Sequence, residues 1–117
     1  MNKGKYYEKK GNEFLRLQGY KILEQNFNSR FGEIDTIARD NKFLSFVEIR
    51  ARKKNHLLSP IESVDRRKRD KIRKTALFYS AGKPEEFYRF DVLEVIQGNQ
   101  WREFRLIKNA FGLYEEI

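Results

Sequence analysis

The sequence predicts a single α/β domain with the element order αβββαββ. The chain has 117 residues, which is the size of one domain. Apolar residues make up 39% and aromatic residues 15%, enough for one core and too many for a disordered chain. Two segments show the spacing of amphipathic helices, and five others show short strand patterns bounded by turn residues. We therefore treat residues 1–117 as one folded unit.

The first half of the chain contains a helix and two strands. Small and apolar residues recur at helical spacing over 3–18, and Gly19 then supplies a stop signal. A strand is predicted over 20–27 and a second over about 31–39. The polar residues 28–30 predict the turn between them.

The remaining elements follow from similar signals. The turn residues 40–41 precede a strongly apolar strand over 43–49, which indicates a hairpin. After a polar loop, Pro60 favours the start of a long helix over 61–80. Glycine and proline then end that helix, and two strands are predicted over 87–96 and 101–107.

Composition excludes several classes of chemistry. The chain has no cysteine, so thiolate nucleophiles, disulfides and cysteine-held metal clusters are ruled out. His56 is the only histidine, which rules out two-histidine zinc motifs and leaves a Ser-His-Asp triad without an evident orienting carboxylate. No Walker loop or G-x-G-x-x-G motif is present. The remaining carboxylates, lysines and arginines suit hard cations such as Mg²⁺ and phosphate substrates.

Charge and hydropathy predict the kind of partner and the compartment. The formal net charge is +8, which attracts polyanions such as nucleic acid. Residues 1–10 are charged and lack the apolar core of a signal peptide. No segment approaches the roughly 18 apolar residues of a membrane span. We expect a soluble, cytoplasmic protein without a membrane partner.

Asp35 and Glu48 lie in strands of the predicted hairpin. The strand that carries Glu48 is apolar on both faces, as is typical of a central strand, where an unpaired charge is costly. A two-residue turn at 40–41 places Asp35 opposite Phe46 and diagonal to Glu48 on the same face. Another odd register places Asp35 directly opposite Glu48. Both registers cluster the two acids beside Arg50, whereas an even register separates them.

Glu8 is a third candidate acid. It shares the inner stripe of the first helix with Gly11 and Leu15 and therefore needs a partner. Acids brought together repel one another unless they are protonated or bridged by a cation, and a divalent metal satisfies that need. The simpler alternative is that Asp35 and Glu48 only form salt bridges with the arginines that follow Glu48.

Further motifs occur along nearly the whole chain. They are Gly4-x-x-x-Glu8, Phe14-Leu15, Gly19-Tyr20-Lys21-Ile22-Leu23, Asn26, Gly32-Glu33-Ile34-Asp35, Phe46-Val47-Glu48-Ile49-Arg50-Ala51-Arg52, Ser59-Pro60-Ile61-Glu62, Lys68, Arg89-Phe90-Asp91-Val92 and Asn109-Ala110-Phe111. With these motifs the chain resembles the YraN-type family, predicted nucleases that are distantly similar to archaeal Holliday-junction resolvases. The resemblance implies one restriction-endonuclease-like PD-(D/E)XK domain with a mixed central sheet flanked by helices. Gly-Glu-Ile-Asp followed by Phe-Val-Glu is its most specific part.

The resemblance implies a metal-dependent phosphodiesterase site. Glu8, Asp35 and Glu48 match the acidic positions of the family and would hold Mg²⁺ or Mn²⁺, with the Ile49 carbonyl as a further candidate ligand. The metal would lower the pKa of a bound water and stabilise charge on the phosphate, leaving a 5′-phosphate and a 3′-hydroxyl by analogy with the fold. Asp91 is expected to be a structural strand residue outside the site.

Arg50 departs from the family pattern, which usually has lysine at this position. Arginine stays charged and is a poor general base, although it can neutralise a transition state. Arg50 therefore acts electrostatically, or a nearby lysine substitutes for it, or hydrolysis is weakened. Lys68, on the inner stripe of the second helix, is the first candidate substitute and Lys53 the second. The alternative for Lys68 is an ordinary helix-surface residue.

Basic residues are expected to surround this site and to contact the phosphates of nucleic acid, DNA in preference to RNA. Residues 66–74 contain seven cations in nine positions, and residues 50–54 form a second cluster. The candidate contacts are Arg52, Lys53, Lys54, Arg66, Arg67, Lys68, Arg69 and Lys71. Three tyrosines could stack on unpaired bases, although core positions explain them equally well: Tyr6, Tyr7 and Tyr88.

The sequence therefore predicts a metal-dependent endonuclease that hydrolyses DNA phosphodiester bonds and selects branched or single-stranded DNA. The alternative is a nucleic-acid-binding module that keeps the nuclease fold and has lost efficient hydrolysis. A third is that the basic face binds RNA or a partner protein. A homodimer is compatible with a resolvase-like enzyme, although the sequence shows no exposed apolar stripe that would support one.

Overall fold

Five strands form a mixed sheet in the described part of the chain and lie side by side in chain order. The structure, a computed structural model, describes residues 2–54, 64–84 and 86–114. Its elements are α1 (Lys3–Leu17), β1 (Lys21–Ser29), β2 (Gly32–Asp40), β3 (Phe43–Lys53), α2 (Arg66–Ser80), β4 (Phe87–Gln97) and β5 (Arg102–Phe111). β3 and β4 are parallel, and the other neighbouring strands are antiparallel. The predicted α/β class is confirmed, with a mixed sheet between helices. No helix within the described ranges is long and apolar enough to cross a membrane.

Helix α1 begins and ends close to the predicted residues. The Asn2 side chain caps it by accepting a hydrogen bond from the Lys5 N–H at 2.9 Å. Gly19, just beyond the helix, has a φ of +93°, a conformation that glycine adopts without a steric penalty. Gly11 faces the sheet, and a Cβ added there would lie 3.1 Å from the Ile49 side chain. The small residue therefore lets Glu8, one turn earlier, approach the sheet closely.

The two helices cover opposite faces of the sheet. Leu15 of α1 lies in one buried cluster with Val47 of β3. Ile72 of α2 lies in the other cluster with Phe46 of β3 and Phe90 of β4. Each fully buried side chain of this size stabilises the fold by about 1.5 to 3 kcal/mol. Because β3 contributes to both clusters, it is the central strand that the sequence predicts.

The β2–β3 hairpin has the register that places Asp35 against Glu48. Asp40 pairs with Phe43, so the turn begins at Asn41, one residue later than predicted. Asn41 has a φ of +54°, and asparagine is one of the few residues that adopt this left-handed conformation readily. Continuing the register from the paired residues places Asp35 opposite Glu48. The register that puts Asp35 opposite a phenylalanine is wrong.

The turn between β1 and β2 also lies further along the chain than predicted. It consists of Arg30 and Phe31 instead of 28–30, and Ser29 pairs with Gly32. The Ser29 hydroxyl accepts a hydrogen bond from the Phe31 N–H at 3.0 Å. This local bond supports the tight turn, so strand pairing continues through residues that usually form turns.

Helix α2 begins later than predicted. Its first residue is Arg66, and the Asp65 side chain caps it by accepting a hydrogen bond from the Lys68 N–H at 2.9 Å. Aspartate is a strong N-cap, which explains why the helix begins here and does not extend back over 64–65. Most of the predicted polar loop over about 53–59, the helix start at Pro60 and the histidine His56 fall within 55–63, outside the described residues. The helix ends at Ser80, as predicted.

A buried ionic network joins β4 to its neighbours. The fully buried Asp91 carboxylate accepts hydrogen bonds from the Tyr20 hydroxyl at 2.7 Å and from the Arg89 guanidinium at 2.8 Å. Arg89 also donates to Asp40 at 2.6 Å. The Asn109 N–H donates a hydrogen bond to the Asp91 carboxylate at 2.9 Å. This bond holds the last part of β5, which ends at Phe111 and not at 107 as predicted. Asp91 is thus a structural residue, as expected.

Removal of the Asp91 carboxylate should strongly destabilise the fold. Asp91→Ala leaves the buried Arg89 guanidinium without its main acceptor, and such a loss typically costs about 3 to 5 kcal/mol. Urea unfolding followed by circular dichroism measures the change. Tyr20→Phe removes one hydrogen bond of the same network and should cost about 1 kcal/mol. An Asp91→Ala effect no larger than that of Tyr20→Phe would contradict this role.

Candidate active site

A cavity of about 640 Å³ lies between β2, β3 and the first turns of α2. We call it the acidic cavity. The sheet and the residue before α2 supply its acids, which are Glu33, Asp35, Glu48 and Asp65. Helix α2 supplies its cations, which are Arg67, Lys68 and Lys71. Acids from the sheet that face cations from α2 suit a cation together with an anionic ligand.

Asp35 lies where β2 separates from β3. The backbone pairing of these strands ends at Thr36 and Val47. One position further, the Asp35 carboxylate accepts a hydrogen bond from the Ile49 N–H at 2.8 Å. The side chain therefore replaces the missing backbone partner and is held at the edge of the acidic cavity. Its position follows from the point at which the backbone pairing of the hairpin ends and from the bond to Ile49.

The pKa of Asp35 is raised from its ordinary 3.8 to about 8. The main cause is burial, followed by the hydrogen bond with the Glu48 carboxyl and the repulsion between the two charges. The Ile49 N–H and the Lys68 ammonium oppose this shift without cancelling it. Asp35 therefore holds a proton near neutral pH when no cation lies beside it.

Glu48 is paired with Lys68 across the acidic cavity. Glu48 is only 6% exposed, and its Oε2 lies 3.1 Å from the Lys68 Nζ. That oxygen has no well-oriented hydrogen bond among the described residues. The ion pair compensates the charge of Glu48 and leaves Oε2 able to accept a further ligand. Lys68 reaches this position because the cap at Asp65 begins α2 three residues earlier.

Glu8 reaches the same region from α1. Carboxylate oxygens of Glu8, Glu33 and Asp35 all lie within 4.8 Å of one another, an arrangement that could hold a metal ion. The Asn26 amide donates to Glu8 at 3.1 Å and to Glu33 at 3.0 Å. Asn26 has a φ of +51°. Burial, and then the charge of Asp35, raise the pKa of Glu8.

The predicted acids assemble around Asp35, which contacts both Glu8 and Glu48. In the described residues, the set within 4.8 Å contains Glu33 and does not contain Glu48, whose carboxylate is paired with Lys68. Sequence reasoning missed the role of Glu33. The signal was present, because residues two apart on a strand share one face, as Glu33 and Asp35 do.

The structure brings Lys68, and not Arg50, to the acids. Among the described residues, Arg50 neither lines the acidic cavity nor forms an ion pair. The simpler alternative, in which Asp35 and Glu48 pair with Arg50 and Arg52, is not observed in the part of the chain that the structure describes. Arg52 instead pairs with Glu94 of β4 at 2.9 Å, because the fully buried Glu94 needs a cation.

The predicted nucleic-acid contacts divide into exposed residues and residues with structural partners. Lys68 pairs with Glu48, Arg52 with Glu94, and Arg69 donates to the Val64 carbonyl at 2.7 Å. The cations of 66–74 do not all face solvent, since Arg73 is buried and donates to the Gly112 carbonyl at 2.8 Å. The exposed candidates are Lys53, Lys54, Arg66, Arg67 and Lys71.

Comparison with known proteins identifies the family. The family model described as "Uncharacterised protein family UPF0102" matches residues 7–95. The chain belongs to the UPF0102 family. This is the YraN-type family that the sequence motifs resemble. The range that matches the UPF0102 model contains every acid of the candidate site, from Glu8 to Asp65.

Relatives in the UPF0102 family match nearly the whole chain. A UPF0102 protein of Persephonella marina is 45% identical over 113 residues, which cover 95% of this chain and 94% of the relative. A UPF0102 protein of Clostridium botulinum strain 657 is 41% identical over 115 residues, which cover 94% of each chain. The similarity therefore spans both helices and all five strands of the described structure.

Asp35→Asn should make the metal-free protein relatively more stable as the pH rises. The pKa of folded Asp35 is about 8, above its ordinary 3.8, so the folded state favours the protonated acid. Protonation of Asp35 therefore stabilises the fold at low pH, and this stabilisation is lost as the pH rises towards 8. Asparagine resembles the protonated acid and can still accept from the Ile49 N–H. Urea unfolding in EDTA between about pH 5 and pH 9 measures the difference.

The matched control for this titration is Glu103→Gln, which removes an exposed acid on β5. Its pH dependence should follow that of the wild type. A stability difference between Asp35→Asn and the wild type that stays constant over the whole range would contradict the raised pKa of Asp35.

Proposed function

We propose that this protein is a metal-dependent endonuclease that hydrolyses DNA phosphodiester bonds and selects branched or single-stranded DNA. The observation that carries the proposal is the contact of Asp35 with both Glu8 and Glu48, beside a wall of cations. Such a cluster is costly for folding, since buried acids repel one another. Its chemistry matches the acidic positions that the family resemblance assigns to a nuclease.

The donor set fits Mg²⁺ or Mn²⁺. Carboxylate oxygens are the hard ligands that these ions prefer, and those of Glu8, Glu33 and Asp35 lie within 4.8 Å of one another. Glu48 supplies an Oε2 that has no well-oriented hydrogen bond in the described ranges. Asp35 would hold the ion together with Glu8 and Glu48, and Glu33 is an additional ligand or positioning group. When bound, the ion would lower the pKa of a water molecule and neutralise charge on the attacked phosphate.

The cations of α2 would act on the phosphate. Lys68 lies 3.1 Å from Glu48 and lines the acidic cavity, so its ammonium can stabilise the negative charge that develops on the attacked group. Arg67 and Lys71 line the same cavity and are exposed, which suits contacts with neighbouring phosphates. Lys68 thereby takes the electrostatic role of the family lysine that Arg50 replaces.

Purified protein should cleave labelled branched, single-stranded or duplex DNA in Mg²⁺ or Mn²⁺, and EDTA should abolish cleavage. Asp35→Asn and Glu48→Gln should each lower the cleavage rate about a hundredfold or more, the scale of losing one electrostatic contact in an active site. Gel assays measure the rate, and anisotropy of labelled DNA measures binding, which should persist in both variants because the exposed cations remain.

Glu103→Gln is the control for this experiment, since it removes an exposed acid outside the acidic cavity. It should retain cleavage. A contaminating nuclease would cut DNA equally in every preparation. The proposed site instead predicts loss of cleavage in Asp35→Asn and Glu48→Gln and not in Glu103→Gln. Absence of cleavage by the wild type with every divalent ion and every DNA form would overturn the catalytic proposal.

A second candidate function is a nucleic-acid-binding module with weakened hydrolysis. The observation that favours it is Arg50 in place of the family lysine. If Lys68 substitutes for the family lysine, Lys68→Gln should lower the cleavage rate about a hundredfold, and Arg50→Lys should change that rate little. If hydrolysis has been weakened, Arg50→Lys should instead raise the rate strongly.

Lys71→Gln is the control for Lys68→Gln, because Lys71 lines the same cavity without an ion pair to Glu48 among the described residues. Single-turnover cleavage separates the two effects. Lys71→Gln should weaken DNA binding more than it lowers the cleavage rate of the bound complex. Lys68→Gln should lower that cleavage rate more than it weakens DNA binding. Equal effects of both variants on that rate would contradict the special position of Lys68.

A further inference from the structure

A second cavity, of about 470 Å³, lies at the end of β3 and β4. Its lining residues are Lys53, Lys54, Gln97, Gly98, Asn99 and Trp101, and we call it the Trp101 cavity. It contains none of the acids described above. Lys53 lies five positions after Glu48 on β3, which corresponds to about 17 Å along the strand. The Trp101 cavity is therefore separate from the acidic cavity along the sheet.

Trp101 is held in place yet remains accessible. It is the only tryptophan of the chain and is 43% exposed, whereas tryptophan is usually highly buried. Its ring lies directly on Gly98, where an added Cβ would come within 2.3 Å of it. The Gly98 N–H also donates to the Trp101 carbonyl at 2.9 Å. The turn therefore fixes an aromatic surface next to solvent.

The other residues of the Trp101 cavity carry complementary chemistry. The Lys54 Nζ lies 5.0 Å from the centroid of the Trp101 ring, and Lys53 is exposed beside it. Gln97 and Asn99 add side-chain amides. An aromatic ring binds the face of a base, lysines bind its phosphate, and amides bind its polar edge. A nucleotide presents all three groups at once.

We propose that the Trp101 cavity binds an unpaired nucleotide of the DNA substrate. This inference rests on the proposed function for its choice of DNA. Because a paired base is stacked within its duplex, this contact selects single-stranded or branched DNA over blunt duplex. Tyr7 and Tyr88, in contrast, pack against the two cores.

The single tryptophan makes the contact directly measurable. Wild-type protein in EDTA is titrated with oligothymidylate while Trp101 fluorescence is recorded, and anisotropy of a labelled oligonucleotide reports total binding. Saturable quenching that follows the anisotropy is expected. A blunt hairpin duplex of equal nucleotide number should bind through the exposed cations without saturable quenching. Stronger binding and quenching by oligouridylate than by oligothymidylate would overturn the assignment to DNA.

Variants test the contribution of the ring. Trp101→Ala should weaken single-stranded DNA binding about 5- to 150-fold, the range for loss of one base–aromatic stack, and should leave duplex binding unchanged. Trp101→Phe should recover most of the affinity. Phe87→Ala is the matched control, because Phe87 is 63% exposed at the opposite end of β4. It should bind as the wild type does.

The two proposals fail in different ways. The proposal for the Trp101 cavity is overturned if oligothymidylate binds without a change in Trp101 fluorescence, or if Trp101→Ala binds it with full affinity. Either result leaves the nuclease proposal intact. Failure to bind any DNA overturns both. Quenching and loss of affinity in Trp101→Ala support the Trp101 cavity even if the wild type cleaves nothing, since this experiment needs no metal and no reaction.

Discussion

The contact between Asp35 and Glu48 is the interaction on which the candidate site depends. It follows from the register of β2 and β3, and a slip of one residue would place the two acids on opposite faces of the sheet. The contact is costly, because two partly buried carboxylates repel one another and lose hydration. The surrounding structure offsets this cost with the raised pKa of Asp35, which keeps that acid protonated, and with the ammonium of Lys68 beside Glu48. A divalent ion would offset it more completely.

The two helices contribute to the site from opposite faces of the sheet. Gly11 lets α1 approach closely enough for Glu8 to reach Asp35. The cap at Asp65 begins α2 where Lys68 reaches Glu48. The separation of β2 from β3 after their last backbone pair opens the space in which these groups meet. The site is therefore a property of the whole sandwich of helix, sheet and helix and not of one motif.

The sequence predicted the features that periodicity determines. The element order, the central strand β3 and the inward position of Glu8 all follow from which residues share a face. The hairpin register stayed ambiguous, because turn residues alone did not distinguish Asp40 from Asn41 as the start of the turn. The pairing of Lys68 with Glu48 and the contact of Glu33 with Glu8 depend on distances between elements, which no local pattern determines.

The parallel pairing of β3 with β4 affects the order in which the chain assembles. The hairpins of β1, β2 and β3 join neighbours in sequence, whereas β4 pairs with β3 only after α2 has crossed over. Closing the longer loop costs more entropy, so local hairpins form earlier. We therefore expect Asp35 and Glu48 to meet before Lys68 arrives to neutralise them. A hairpin formed at that stage would rely on protons or ions from solvent, and docking of α2 would then relieve the repulsion between the two acids.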